Sequence, residues 1–336
     1  MIADFWKRPP TIQRNNFIYK SLSCWSYNIA VGCAHSCRFC YTPEVSTIKM
    51  TPQLAPLGVT DPDAQWGEYL FVRTWKQTAF ATSLKFAEAT PLTALNKDGN
   101  RAVMFCTTTD PYQVVHHADN AKRRDLQIAL ADNVRNALRQ ILEDSTLNVR
   151  ILTRSPLARL DFDLMKQFGN RLLFGMSLPC VDNKLARVYE PHAPSPSARL
   201  ETLKAAKAAG IPIYVAMAPT YPEQTGSDLQ TCLEAIAQLE PLTIFHEPIN
   251  VRAENVARIA DHARTIGVPL NLKTWTSKQT WAAYAVHQLQ RVETIARVLG
   301  IGDRLHLWPD KELGKLRPDM VPWFSQYWNR ISEWPK

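Results

Sequence analysis

Gly32-Cys33-Ala34-His35-Ser36-Cys37-Arg38-Phe39-Cys40-Tyr41 places three thiols at a C-x3-C-x2-C spacing inside ten residues, with an aromatic side chain just before the last. Three thiolates this close can hold three corners of a [4Fe–4S] cube and leave the fourth iron without a protein ligand. An iron with an open position binds and activates whatever small molecule reaches it. Zinc is the alternative occupant, but it ordinarily takes four ligands from paired Cys or Cys/His groups. His35 lies inside the same tight loop, and no second cysteine pair follows. The spacing therefore favours a cluster with one vacant position over a structural metal site or a plain cysteine loop.

The loop follows a short extended run, Ser26-Tyr27-Asn28-Ile29-Ala30-Val31, which reads as one strand. Residues 42–67 then hold four prolines and little periodicity, in the manner of a long functional connection. Glu68 to Thr74 reads as extended and Thr78 to Glu88 as helical. From Ala102 onward, apolar runs of strand length alternate with amphipathic stretches of helical period. Strands are expected at 102–106, 149–152, 172–177, 213–217 and 242–246. Helices are expected at 121–142, up to about Phe168, at 196–209 between Ser195 and Gly210, at 228–239 and at 254–265. With the strand at 26–31 these make six βα units, which predict an α/β fold whose parallel sheet closes wholly or partly into a (β/α)6 TIM-type barrel.

Chemistry in such barrels sits at the C-terminal ends of the strands. The cysteine loop, Thr109-Asp110, Thr153-Arg154, Ser177, Pro219-Thr220-Tyr221 and His246-Glu247 all fall there. A long helix is expected over 275–299, and a tail from Arg304 carries Trp308, Trp323, Trp328 and Trp334. The tryptophans could stack on a base, but sealing the side or bottom of the barrel is the simpler role. The chain thus divides into an N-terminal arm or lid (1–25, with Pro9-Pro10), a barrel (26–270) and a helical, Trp-rich C-terminal extension (271–336).

A chain of 336 residues with 46% hydrophobic residues can bury a large core. No apolar run approaches a membrane span, and the seven cysteines lack disulfide-like regularity, so a cytoplasmic protein without a membrane partner is expected. The net charge of +8 is compatible with nucleic acid or with anionic small molecules, and its spread along the chain decides between neither. Phosphate-loop, nucleophile-elbow and HExxH signatures do not occur.

The cysteine spacing with its inner aromatic residue resembles the signature of radical S-adenosylmethionine (SAM) enzymes. The resemblance extends through Thr109-Asp110-Pro111-Tyr112-Gln113, Leu152-Thr153-Arg154-Ser155, Tyr189-Glu190-Pro191-His192-Ala193-Pro194-Ser195 with Arg199, and Ala209-Gly210-Ile211-Pro212 to Ala218-Pro219. Together these resemble the spore-photoproduct-lyase-like group, often labelled DNA repair photolyase, over about residues 26–222.

The resemblance implies that Cys33, Cys37 and Cys40 ligate a [4Fe–4S] cluster and that Phe39 packs near the adenine of SAM. Thr108, Thr109 and Asp110 would then lie near the methionine amino group. Arg154 stands where the lyases carry a lysine on the SAM carboxylate, a task its bidentate fork can perform. Ser177, Glu190 and Arg199 are further SAM-binding candidates, although Glu190 and Arg199 could equally form a structural ion pair. Tyr41 matches a relay tyrosine. Cys106 stands one residue early for the hydrogen-atom donor at the end of the second strand, so its thiol could face away from substrate unless a bulge restores it. The implied activity is reductive cleavage of SAM, with an electron from a flavodoxin- or ferredoxin-type donor, to a 5′-deoxyadenosyl radical that abstracts hydrogen. Nucleic acid or a nucleotide-like molecule is the implied substrate. Modification of a peptide or small metabolite is the alternative within the enzyme class, and a non-catalytic, cluster-bearing nucleic-acid binder the alternative outside it. His116-His117 read as loop residues, and His246-Glu247 as either rim groups or a helix cap.

Overall fold

The structure, a computed structural model, describes residues 1–15, 23–95 and 101–328. Its strands are β1 (Ile2–Trp6), β2 (Ile12–Arg14), β3 (Trp25–Tyr27), β4 (Ala30–Gly32), β5 (Tyr69–Arg73), β6 (Ala102–Phe105), β7 (Asn148–Thr153), β8 (Leu172–Ser177), β9 (Ile213–Thr220), β10 (Ile244–Pro248) and β11 (Leu305–Leu307). The main sheet runs β11-β10-β9-β8-β7-β6-β3-β2, parallel throughout except for β2, which is antiparallel to β3 at one edge. The six expected parallel strands are therefore neighbours in chain order, as successive right-handed βα crossovers dictate. The fold is the α/β partial barrel anticipated from the alternation.

Parallel strands covered on both faces read as unbroken apolar runs; all six residues of β8 are buried. Their side chains divide by alternation. Val103, Phe105, Val149, Ile151, Phe174 and Val215 pack outward with Leu126, Leu130 and Val134 of the helix Asn120–Asp144. Leu173, Tyr214 and Phe245 form a smaller cluster on the opposite face, with Met104, Leu152 and Trp308 against it. Gly175 has no substitute there: a β-carbon would enter the Tyr214 ring.

Three departures from the sequence reading matter. The run expected as one strand over 26–31 is two: β3 joins the main sheet, while β4 turns off to pair antiparallel with β5. The turn between them lets β4 deliver Gly32, at φ +89°, directly into the cysteine loop. Second, β1 pairs parallel with β5, so a separate sheet, β1-β5-β4, stands beside the barrel. Third, the tail contributes β11, a seventh parallel strand on β10. Of its tryptophans, Trp334 lies outside the described residues.

Candidate active site

The cysteine loop is held at both ends and in the middle by groups from distant segments. Gly32 is positioned by a chain in which the Ala34 N–H donates to Gln113 Oε1 (2.6 Å), Gln113 Nε2 donates to Thr109 Oγ1 (2.7 Å), and the Thr109 hydroxyl donates to the Gly32 carbonyl (2.6 Å). From the helix Asn255–Thr265, Asn255 donates to the Phe39 carbonyl (3.1 Å), and Arg258 donates to the carbonyls of Cys40 (2.7 Å) and Arg38 (3.2 Å) while pairing with Asp63. The Arg38 N–H donates to the Tyr189 carbonyl (2.8 Å). A loop with its carbonyls so occupied presents its sulfurs in a fixed arrangement.

Cys33 and Cys37 are buried and Cys40 is half-buried. Burial, then the negative charge of Asp110 and of Cys37, pushes the Cys33 thiol far above its ordinary pKa. Burial pushes Cys37 up to about 12, with Arg154 pulling the other way. Three soft sulfurs held in one loop are a donor set that an iron core, by displacing protons, satisfies. Among the described residues no His, Cys, Asp or Glu group is gathered around one point closely enough for a single ion; in a cube each thiolate binds an iron of its own. The residues fit a cluster with three protein ligands.

Asp110 knits this loop to the second and third parallel strands. Its buried carboxylate accepts from the Tyr112 N–H (2.8 Å), the Thr153 hydroxyl (2.7 Å) and the Arg154 N–H (2.8 Å), and His35 Nε2 lies 3.1 Å away. Burial opposes its charge, but these partners hold its pKa below the usual carboxylate range. Thr108 is bound through its N–H and hydroxyl to Asn28 Oδ1 (3.0 and 3.1 Å).

Beside the loop, Glu190 is clamped between two arginines: Arg154 Nε donates to its Oε1 (2.8 Å), and Arg199 Nη2 to its Oε2. Arg199 also donates to the carbonyls of Ser177 (3.1 Å) and Pro194 (2.8 Å) and is wholly buried. Arg154 lies over the Phe39 ring, 5.6 Å from its centroid, and among the described residues its two terminal nitrogens have no hydrogen-bond partner. Behind Phe39, Tyr221 and Tyr189 stack at 4.1 Å. Phe39, Arg154, Ser177, Glu190 and Arg199 are thus one connected group next to Cys37, with a guanidinium fork left open at its edge.

Tyr41 is on the other side. Its ring is partly exposed, and its hydroxyl donates to the Thr107 carbonyl (2.9 Å). Cys106 does not join either group. Its backbone takes φ +65°, and its buried thiol packs with Tyr27, Phe105 and Tyr112 in the helix-facing core, near the Ile29 N–H. The left-handed residue interrupts the alternation of β6. His246 is buried with Nε2 3.1 Å from the Thr220 hydroxyl, and burial pushes its pKa down to about 3.

The Radical SAM superfamily profile matches residues 27–236. The chain belongs to the radical SAM superfamily. This radical SAM enzyme is 30% identical over 267 residues to an uncharacterized protein of Acidianus two-tailed virus, covering 75% of this chain and 78% of that one. It is 29% identical over 199 residues to an uncharacterized Mycobacterium tuberculosis protein, covering 58% of this chain and 49% of the relative. Among solved structures, a spore photoproduct lyase with bound AdoMet and dinucleoside spore photoproduct superposes with a TM-score of 0.60 at 13% identity, over 91% of this chain and 80% of that one. At that identity the likeness is one of fold.

Gln113, Asn255, Arg258 and the Tyr189–Tyr221 stack escaped the sequence reading as site residues. Gln113 stood in a quoted motif. Tyr189 and Tyr221 also stood in quoted stretches, but their stacking is tertiary; Asn255 and Arg258 had no local signal, because their partners are far along the chain.

Proposed function

We propose that this radical SAM enzyme holds a [4Fe–4S] cluster through Cys33, Cys37 and Cys40, binds SAM against Phe39 and Arg154, and abstracts hydrogen from a nucleic-acid or nucleotide-like substrate. Cys33, Cys37 and Cys40 would hold the cluster, which would supply the one-electron reduction, fed by an external donor, that SAM cleavage to 5′-deoxyadenosine requires. The observation that carries this reading is the open fork of Arg154, fixed by Glu190 and stacked over Phe39 beside Cys37. A planar fork with unoccupied donors, held rigid by a buried carboxylate, is suited to the SAM carboxylate. Glu190 and Arg199 then act as positioning residues. The carboxylate of Asp110 already has its protein partners, so it orients the Thr108–Asp110 turn and the backbone of Arg154.

Tyr41 is favoured as a relay, because its hydroxyl bridges from the cluster loop to the end of β6. A phenol is protonated at neutral pH, so an O–H is available to give up a hydrogen atom. The buried, core-facing placement of Cys106 favours a packing role over hydrogen donation. On this reading Cys106 is not the hydrogen-atom donor of a spore-photoproduct-lyase-like route, and the substrate radical meets a different fate. Abstraction from nucleic acid is tested with a perdeuterated single-stranded oligonucleotide. Deuterium in the recovered 5′-deoxyadenosine is the expected outcome; its absence with oligonucleotide, alongside its appearance with a deuterated peptide or metabolite, would move the enzyme to the other substrate class.

A further inference from the structure

A cavity of about 560 Å³ opens beside the cluster loop, between the N-terminal strands, the segment after Tyr41 and the mouth of the first two parallel strands. Its size is that of a small-molecule site. Its lining includes Arg8, Arg14 and Arg73 and no carboxylate side chain. Among the described residues none of the three arginines forms an ion pair. Arg73 donates to the Arg8 carbonyl (3.3 Å), and its buried Nε has no partner. Burial and the adjacent Arg8 charge both act against the Arg73 guanidinium. Arg14 donates to the Ala94 carbonyl and lies over the Trp25 ring, 5.8 Å from its centroid, neither of which neutralises its charge. Among the described residues, three cations thus line one cavity without a counter-ion, an arrangement that an anion relieves.

The remaining lining mixes apolar side chains, Trp6, Val45 and Met50, with hydrogen-bonding ones. Gln13 and Gln53 offer amide edges, while Asn28, engaged by Thr107 and Thr108, fixes the wall where those two threonines sit. Thr107 is the residue whose carbonyl receives the Tyr41 hydroxyl, and Tyr41 adjoins Cys40. The inner wall of the cavity is therefore joined by one hydrogen bond to the residue that follows the third cysteine of the loop.

We infer that this cavity is the substrate site, and that it takes a phosphate ester of a nucleoside, with Arg8, Arg14 and Arg73 on the phosphate and the amides on the base edge. The inference rests on the radical SAM reading above for its claim that the occupant is the one attacked. Arginine forks match phosphate bidentately, and amide side chains supply the paired donor and acceptor that a base edge requires. A free nucleotide and a strand of nucleic acid share this chemistry.

The test uses the full chain, anaerobically reconstituted, in equilibrium binding with nucleoside 5′-monophosphates, the matching nucleosides, inorganic phosphate and a single-stranded DNA 10-mer. Nucleotides or the strand are expected to bind at least about 10-fold more tightly than nucleosides, and Arg8→Gln and Arg14→Gln each to weaken binding about 10-fold and to lower the salt slope by about one. Both arginines are exposed, so circular dichroism should show both variants folded, and Arg8→Gln alone suffices if Arg14→Gln is not. Arg264→Gln, which removes an exposed charge elsewhere, should bind as wild type does. Preference for the 10-mer assigns a strand, and preference for the monophosphate a free nucleotide. Equal affinity for nucleosides and nucleotides, inorganic phosphate matching the nucleotide, or unchanged binding by Arg8→Gln overturns the assignment. Wild-type SAM cleavage measured in parallel separates the two readings. Cleavage without phosphate preference sinks only the pocket, whereas nucleotide binding without cleavage sinks the radical SAM mechanism and leaves the pocket standing.

Discussion

The two edges of the main sheet are both extended beyond the six βα units, and they are finished in opposite ways. At the far edge, β11 adds a parallel strand and the tail closes over it. Trp308 stacks on Phe245 at 4.4 Å, Trp328 donates to the Pro309 carbonyl (2.7 Å), Trp323 donates to Glu293 (3.3 Å), and Phe324 is fully buried. At the near edge, β2 and the β1-β5-β4 sheet leave a gap lined with arginines that form no ion pair among the described residues, with amides and with hydroxyls. Aromatic rings with satisfied N–H groups stabilise; cations without counter-ions wait for a ligand. Aromatic richness in the sequence drew attention to the edge that is packed, while the edge that can bind is built from scattered polar residues.

The comparison can be broken in several ways, beginning with the largest effect. Cys37→Ser should abolish both iron retention and SAM cleavage, read by iron analysis and chromatography of 5′-deoxyadenosine, while the far-edge packing stays intact by near-UV circular dichroism. Glu190→Gln leaves two arginines, one wholly buried, without their carboxylate. Denaturant unfolding should show a loss of about 3–5 kcal/mol, and any change under about 1 kcal/mol would contradict the clamp. Trp323→Ala at the far edge should cost about 2 kcal/mol of stability through lost packing and leave oligonucleotide affinity unchanged. Weakened oligonucleotide binding by this folded variant would return the tail to a role in base stacking.

Arg154→Lys should keep the fold and raise the KM for SAM about 10-fold, because an ammonium cannot reproduce the fork. An unchanged KM would leave the fork structural only. The smallest effect concerns Glu88, on the helix Gln77–Ala89 beneath the near edge. Burial alone would raise its pKa, but hydrogen bonds from Thr146, Ser145 and Arg101 bring it down to about 2. A carboxyl depressed in the folded state contributes stability that is complete above its ordinary value of 4.5 and is lost as pH falls toward 2. Glu88→Gln should therefore lower stability by about 1 kcal/mol at neutral pH and flatten the acid limb of a melting-temperature profile. A variant whose acid limb matches wild type would disprove that coupling.

What the sequence revealed was what is encoded locally. The strand at 172–177 could be read to the residue because all its side chains are buried, and the helix at 196 because Ser195 caps it and Gly210 ends it at φ +76°. The cysteine loop was legible for the same reason: its three thiols lie within ten residues. The break between β3 and β4 was hidden because Asn28 and Ile29 interrupt no apolar pattern. β11 was hidden because three residues, Leu305–Leu307, are too short for periodicity and gain strand geometry only from β10. The group formed by Arg154, Glu190 and Arg199 was anticipated as separate candidates, but its connection through one carboxylate is tertiary. The cavity was least legible of all, since Arg8, Arg14 and Arg73 share no spacing and meet only when β1 pairs with β5 and β2 with β3.

The central claim is that the cysteine loop and the Arg154 fork together hold a cluster and SAM. Anaerobic reconstitution with iron and sulfide, followed by SAM and dithionite, tests it most directly. A brown protein that forms 5′-deoxyadenosine over many minutes, with both colour and product lost in Cys37→Ser, is the predicted result. A protein that stays colourless, or that takes up iron yet leaves SAM intact, would contradict it.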